Sequence, residues 1–369
     1  MLSRYFQKYL STSEYEYKQG KDGVLYMNET TADIVKEVKQ IIEQTRKQVA
    51  LAVNNELLIA YWHIGRLIAG QSSGLNNFTA RKFILALSKS LTDEFGRGFS
   101  RSNLFCMRNF YLNYPDVQTV SGQLSWSHYC ELLSVSDKEA RRFYEKECLN
   151  SKWSVRELSR QIDTALFERL LLSDGTPNKQ KVLELAREGQ ALHKAEDIVK
   201  DPYVLEFLGL QNHKVVKESN LEKKLLEHIE DFLLELGRGF MFVGSQQRVT
   251  INNVHYAVDL VFYNKILKAY VLIDLKMGKF KLENAGQMNG YINYYKTEIN
   301  SPDDNPPIGI ILCANKDAIA AEFALGGLEN HIFASKYTLL IPDKDQLIKQ
   351  VEYVLAQNEV DETECQSGA

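Results

Sequence analysis

The sequence predicts an α+β chain in which an all-α amino-terminal domain is followed by an α/β domain. Two observations carry this reading. Apolar residues recur at helical spacing over residues 31–70, and the stretch 256–276, YAVDLVFYNKILKAYVLIDLK, alternates with a period of two. A third, the SDGTPN cluster that opens at Ser173, gives a break between the halves. At 369 residues, two cores are expected rather than one. The predicted division is an extension over 1–28, a helical domain over 29–172, a helical connector over 173–218, an α/β domain over 219–357 and an acidic tail over 358–369.

In the helical domain, Ile41, Val49, Val53, Leu57, Tyr61, Ile64 and Leu67 recur at helical spacing, and Gly70 is placed to end the helix. A second helix is expected over about 80–95. It leads through GRGF to a third, which Ser100 opens as N-cap and Pro115 closes. Two helices joined by a short glycine-bearing turn have the outline of a helix-turn-helix. Arg101, Ser102 and Asn103 would then begin the recognition helix, where base edges or phosphates are met. Helix pairs of this kind also arise by simple packing. In the connector, DPYVLEFLGL (201–210) is expected as a short helix on the second core.

The second domain opens with LEKKLLEHIEDFLLEL (221–236), whose apolar positions 225, 226, 229, 232, 233 and 236 form one helical stripe. At about 100° per residue, Glu222 falls within the stripe, Glu230 near its edge, and Glu227, Asp231 and Glu235 on the far side. Glu222 alone should look toward the sheet. In the hairpin, Tyr256, Val258, Leu260 and Phe262 share one face, and Ala257, Asp259 and Val261 the other. In the second run, Leu272, Asp274 and Lys276 lie together opposite Val271, Ile273 and Leu275. The short NKILK bridge makes the runs antiparallel, so Asp259 can approach Asp274. Carboxylates in so apolar a run are costly unless they are paired or bind a cation. Three acids and a lysine at one place suit Mg²⁺, a hard ion that prefers oxygen ligands. After the hairpin, ENAGQMNGYINYYK is a helix with Gln287 and Tyr291 one turn apart, and IGIILCA (308–314) reads as a buried strand.

The order Glu222, Asp259, then Ile-Asp274-Leu-Lys276, with Gln287-x-x-x-Tyr291 behind it, resembles the PD-(D/E)XK nuclease superfamily. That resemblance covers about residues 218–345 and implies a restriction-endonuclease-like core of helix, three antiparallel strands, helix and strand. The strings YWHIGRLI, SRSNLFCMRNFY, LSWSHYCELL and KWSVRELSRQI are similar to the helical domain fused to such nucleases in the bacterial YhcG-like family, extending the match to about residues 33–345. No proline precedes Asp259, a departure without chemical consequence. The resemblance implies phosphodiester hydrolysis. Asp259, Asp274, the Leu275 carbonyl and Glu222 would hold Mg²⁺, with Mn²⁺ as a substitute. Lys276 would orient the attacking water and offset charge on the phosphate, and Gln287 and Tyr291 would border the nucleic acid. Trp62, His128 and Trp153 belong to the motif strings as core residues.

Composition narrows the class. Hydrophobic residues are 44% and charged ones 25%, ordinary for a globular chain, and no stretch has the length of a membrane span. The start lacks the apolar core of a secretory signal, and five cysteines without a C-x-x-C read as reduced thiols, so a cytoplasmic protein is expected. Net charge is −4, but between Tyr263 and Lys296 six lysines face two acids, which gives a basic patch beside the expected site. From Asp343 onward seven acids against two lysines mask it. The expectation is a Mg²⁺-dependent nuclease acting on nucleic acid, DNA on the family's analogy, with a helical DNA-binding or oligomerisation module and a homodimer if both strands are cut. The alternative is a protein that holds nucleic acid or a partner without cutting. Against it, Asp259, Asp274 and Lys276 are all present.

Overall fold

The structure, a computed structural model, describes residues 29–72, 77–120, 122–172, 178–210, 218–315 and 331–353, together with Leu325 and Leu355. The extension 1–28 and the tail 358–369 lie outside the described residues.

Helix α1 (Glu29–Ser72) has 44 residues and continues past Gly70. Its residues 33–53 are exposed all round. The buried stripe is Leu58, Trp62, Gly65 and Ile68, one residue beyond the recurrent set, of which Leu57 and Leu67 face solvent. Helices α2 (Asn77–Phe95) and α3 (Arg101–Asn113) follow, α3 capped by the Ser100 side chain accepting from Asn103 N. Leu104, Met107 and Phe110 turn the inner face of α3 onto α1 and the core. The two helices meet backbone to backbone, because a Cβ on Gly65 would stand 2.0 Å from the Met107 carbonyl oxygen. Gly65→Ala must part them, and overpacking of this kind costs about 3 kcal/mol. Thermal unfolding reads the loss, and an unchanged melting temperature would disprove the close contact.

Helices α4 (Trp126–Leu132), α5 (Lys138–Ser151), α6 (Val155–Asp163), α7 (Leu166–Leu172) and α8 (Lys179–Glu188) complete this core. Trp62 is buried with its Nε1 donating to Tyr114 O at 2.7 Å, while half-buried His128 caps α4 through Ser125. Cys106 and Cys130, free thiols on α3 and α4, lie with their sulfurs 2.7 Å apart, a pairing that their separation in sequence conceals. Late in the chain, Val351 and Leu355 return to pack on this first core.

The second core is a six-stranded sheet in the order β1-β6-β5-β4-β3-β2, built from β1 (Tyr203–Val204), β2 (Phe240–Ile251), β3 (Val254–Asn264), β4 (Ala269–Lys279), β5 (Ile308–Asn315) and β6 (Ile332–Thr338). β2, β3 and β4 are antiparallel, whereas β5, β6 and β1 join in parallel. The connector thus supplies an edge strand at Tyr203–Val204, with a 3₁₀ turn at Glu206–Leu208 behind it, in the segment where a short helix was expected. Tyr203 and Val204 are wholly buried and pair with Tyr337 and Thr338, and burial on both faces favours a strand over an amphipathic helix.

Turns set the register. Asn252 and Asn253 adopt φ of 48° and 63°, the left-handed pair of a two-residue hairpin, and so align Ile251 with Val254. At the other end, Asn264 Oδ1 accepts from Ile266 N and Leu267 N and shapes the β3–β4 loop. One face of the sheet is covered by α9 (Glu218–Glu227) and α10 (Ile229–Leu236), the other by α11 (Leu282–Tyr294). α11 can approach because Gly309 of β5 lacks a side chain. A Cβ there would come within 2.5 Å of Met288 Cγ.

Three sequence expectations change here. The helix expected over 221–236 breaks at His228, whose ψ of 36° is not helical. Glu235, placed on the solvent side by the wheel, is fully buried against the helical domain instead. Strict alternation in β3 also fails, since Val258 packs with Val261 on the α11 face.

Candidate active site

The site arises where the sheet forks. Pairing between β3 and β4 runs from Asn264–Ala269 to Leu260–Ile273 and stops. Beyond that point β3 stays with β2, while β4 stays with β5. Asp259 and Asp274 occupy the next position on each strand, so both open into the gap. The gap is a cleft of about 470 Å³ lined by Glu218, Glu222, Gln246, Asp259, Asp274, Lys276 and Gln287, with Leu275 at its floor.

Backbone and side chains tie the fork together. Asp259 Oδ2 accepts from Leu275 N at 2.8 Å, which holds β3 against β4 where the ladder has ended. Gln246 Nε2 donates to Asp259 Oδ1 at 3.1 Å and to Glu222 Oε2 at 2.9 Å. Lys276 Nζ lies 2.8 Å from Asp274 Oδ2 and 3.6 Å from Glu218 Oε1. On the far wall, Gln287 Nε2 donates to Tyr291 Oη, which donates to the Ala257 carbonyl at 3.0 Å. Tyr291 is buried and anchors α11 to β3, and Gln287 is the member of that pair that reaches the cleft.

Charge in the cleft is set by burial. Asp274 is 2% exposed, and burial pushes its carboxyl up to about 6, with Lys276 opposing the rise. Burial works against the Lys276 ammonium, but the adjoining Asp274 carboxylate outweighs it and holds the lysine above its usual value. Asp274 Oδ2 is buried, and the partner it has is the Lys276 ammonium 2.8 Å away. A buried carboxylate with Asp259 beside it is an oxygen donor set that suits a hard cation. The three expected carboxylates, Glu222, Asp259 and Asp274, line the same cleft without closing on one point. Among the described residues no three His, Cys, Asp or Glu side chains are grouped to ligate one ion as they stand. Gln246 stands between Glu222 and Asp259.

Gln246 and Glu218 were missed by sequence reasoning. Gln246 could have been found, because a two-residue Asn252–Asn253 turn aligns 251 with 254 and therefore sets 246 across from 259. Glu218 lies one helical turn before Glu222 on α9, ahead of the expected helix start. The lysines divide between two ends of the sheet. Lys276, Lys279 and Lys281 stand at the cleft end of β4, whereas Lys265 and Lys268 belong to the loop at its opposite end. Lys296 lies in the segment that returns to the start of β5. The patch beside the site is thus half the size expected.

The other candidate residues lie on α3, apart from the cleft. Arg101 and Ser102 are exposed. The Asn103 side chain is already engaged, accepting from Trp126 Nε1 at 2.6 Å and donating to Gly98 O at 2.5 Å. No helix among the described residues is long and apolar enough to cross a membrane.

Comparison with known proteins gives matches to both halves. Residues 196–352 match the YhcG PDDEXK nuclease domain, and residues 37–169 match the DUF1016 N-terminal domain. A protein of Escherichia coli (strain K12) named "Putative nuclease YhcG" is 37% identical, across 91% of this chain and 93% of its own. Among solved structures, a repair endonuclease from Pyrococcus abyssi aligns with a TM-score of 0.25 and 21% identity over 35% of this chain. The chain spans half (50%) of that structure's length, a likeness too slight to carry an argument.

Proposed function

Because the chain belongs to the YhcG family, whose carboxy-terminal part is a PDDEXK nuclease domain, we propose that it hydrolyses phosphodiester bonds of nucleic acid, DNA by preference, with Mg²⁺ as cofactor and Mn²⁺ as a working substitute. The observation that supports this best is the fork: two aspartates at the end of a broken ladder, one of them buried with a charged lysine 2.8 Å from its carboxylate. Asp259, Asp274 and the Leu275 carbonyl would hold the cation, with Glu222 completing the set. Bound there, it would polarise the scissile phosphate and make a neighbouring water more acidic.

The remaining work falls to the chain's own groups. Lys276 is kept protonated by Asp274, so it is no general base. Its ammonium can donate to a phosphate oxygen and stabilise charge as it develops there. Gln287 donates one N–H to Tyr291, which itself is fixed to Ala257 O, so its remaining amide groups are oriented to meet nucleic acid at the cleft wall. Lys279 and Lys281, exposed beyond Lys276, would follow the phosphates. In the helical domain, DNA contact falls to Arg101 and Ser102, since Asn103 is committed internally. With one such cleft among the described residues, a homodimer would let both strands be cut together.

Supercoiled plasmid incubated with Mg²⁺, Mn²⁺ or chelator tests the reading. Wild type should nick only with cation, and Asp274→Ala should not nick at all. Equal nicking by both proteins would remove the site. Binding of the plasmid without any nicking would replace the nuclease by a protein that holds DNA.

A further inference from the structure

We propose that Gln246 is a further ligand of the cation site, held in waiting by the two carboxylates it bridges; this rests on the reading that a hard divalent cation binds at Asp259 and Asp274. One amide nitrogen spans acids from two separate elements, 2.9 Å from Glu222 Oε2 on α9 and 3.1 Å from Asp259 Oδ1 on β3. Two carboxylates facing each other repel, and a shared N–H donor relieves that repulsion. A cation taken up between them would reverse the demand, because an N–H group would then point at positive charge.

A carboxamide can answer that reversal without moving its backbone. Its donor and acceptor ends exchange by a half-turn of the last side-chain bond, and its carbonyl is a hard oxygen ligand of the kind Mg²⁺ and Mn²⁺ accept. Gln246 is exposed, and the two bonds to Glu222 and Asp259 are what hold its amide in the present orientation. Neither alanine nor leucine could act at both stages.

The backbone gives a second, independent reason to single out this residue. Within β2, Gln246 alone has positive φ, 47°, although the pairs on either side, Ser245–Leu260 and Gln247–Val258, are regular. A residue with a Cβ pays about 1–2 kcal/mol for that conformation, and glycine does not. Strain kept at a single strand position opposite Asp259 is the pattern expected where a side chain is required and its backbone must comply.

Titration calorimetry of the full chain with MnCl₂ tests this, with circular dichroism reporting that each variant folds. Gln246→Ala should weaken Mn²⁺ binding on the order of tenfold, the lower end of what losing one group around a metal does. Gln246→Glu, which keeps an oxygen donor and adds charge, should bind at least as tightly as wild type. Gln246→Gly should unfold at a higher temperature than Gln246→Ala yet bind Mn²⁺ equally weakly, which separates strain from ligation. Unchanged or tighter binding by Gln246→Ala would overturn the proposal, reducing the amide to a bridge or a competitor. Failure of wild type to bind Mn²⁺, or equal binding by Asp274→Ala, would overturn the cation site itself and this ligand with it.

Discussion

Asp274→Asn is expected to abolish plasmid cleavage while making the chelated protein harder to unfold. The loss of activity follows from the proposed chemistry, since an amide oxygen cannot replace the carboxylate charge that holds the cation. A decrease of at least about a thousandfold corresponds to about 4 kcal/mol of transition-state stabilisation. The gain in stability has a separate origin. Burial raises the Asp274 carboxyl from 3.8 to about 6, so between those values the folded chain keeps a proton that the unfolded chain has released. Folding stability therefore falls as pH rises from about 4 to 6, and the whole penalty is present above 6. A shift of this size is worth about 3 kcal/mol. The asparagine variant carries no such penalty, although Lys276 loses part of its support, so the gain at pH 8 is at most that figure. Unfolding in chelator across pH 4–8 should show the variant's advantage over wild type growing from pH 4 to about 6 and holding above it. Parallel curves would show that Asp274 is not ionised against its surroundings.

That opposing pair of effects is characteristic of a functional site, where a group is kept in an environment that the fold alone would not choose. It also explains why this part of the molecule was legible in sequence. Asp259, Asp274 and Lys276 stand out because period-two alternation is otherwise filled by Val, Leu and Ile, and a charge in that pattern violates a local rule. Glu222 was legible for the related reason that it interrupts the apolar stripe of a helix. Gln246 breaks no pattern, since a neutral amide on an edge strand is unremarkable until the register places it opposite Asp259. The helical domain was readable as helices from caps such as Ser100, but its contacts were not. Gly65 against Met107 is a tertiary approach that no periodicity encodes.

Glu235 shows where periodicity misleads, and it carries the largest expected effect on stability. A wheel drawn through residues 221–236 assumes one continuous helix with water on its far side. Both assumptions fail, because the helix breaks at His228 and the far side meets α6 and α7. Glu235 Oε1 takes Arg169 Nη1 at 2.7 Å and Val204 N at 3.0 Å, Oε2 takes Arg160 Nη2 at 3.2 Å, and the Glu235 carbonyl accepts from Lys200 Nζ. One residue thus gathers three cations, two on its carboxylate and one on its carbonyl, from the helical domain and the connector at the edge of the nuclease sheet. Burial alone would raise its pKa, but Arg169, Lys200 and Arg160 together hold it down to about 2. With the folded value below the ordinary 4.5, its stabilisation is complete above pH 4.5 and lost as pH falls toward 2. Glu235→Ala would leave Arg169, which is fully buried, without its counter-charge. Removing one partner of a buried ion pair costs about 3–5 kcal/mol, because the stranded charge keeps its desolvation penalty. The expected result at pH 7 is a lower melting temperature together with earlier proteolysis between the helical domain and the sheet. Adding Arg169→Met to Glu235→Ala should recover part of the loss, since the stranded charge is then gone. If the double variant were less stable than the single one by the full cost of a second deletion, the two residues would be acting independently. The buried pair would then not be what clasps the two cores.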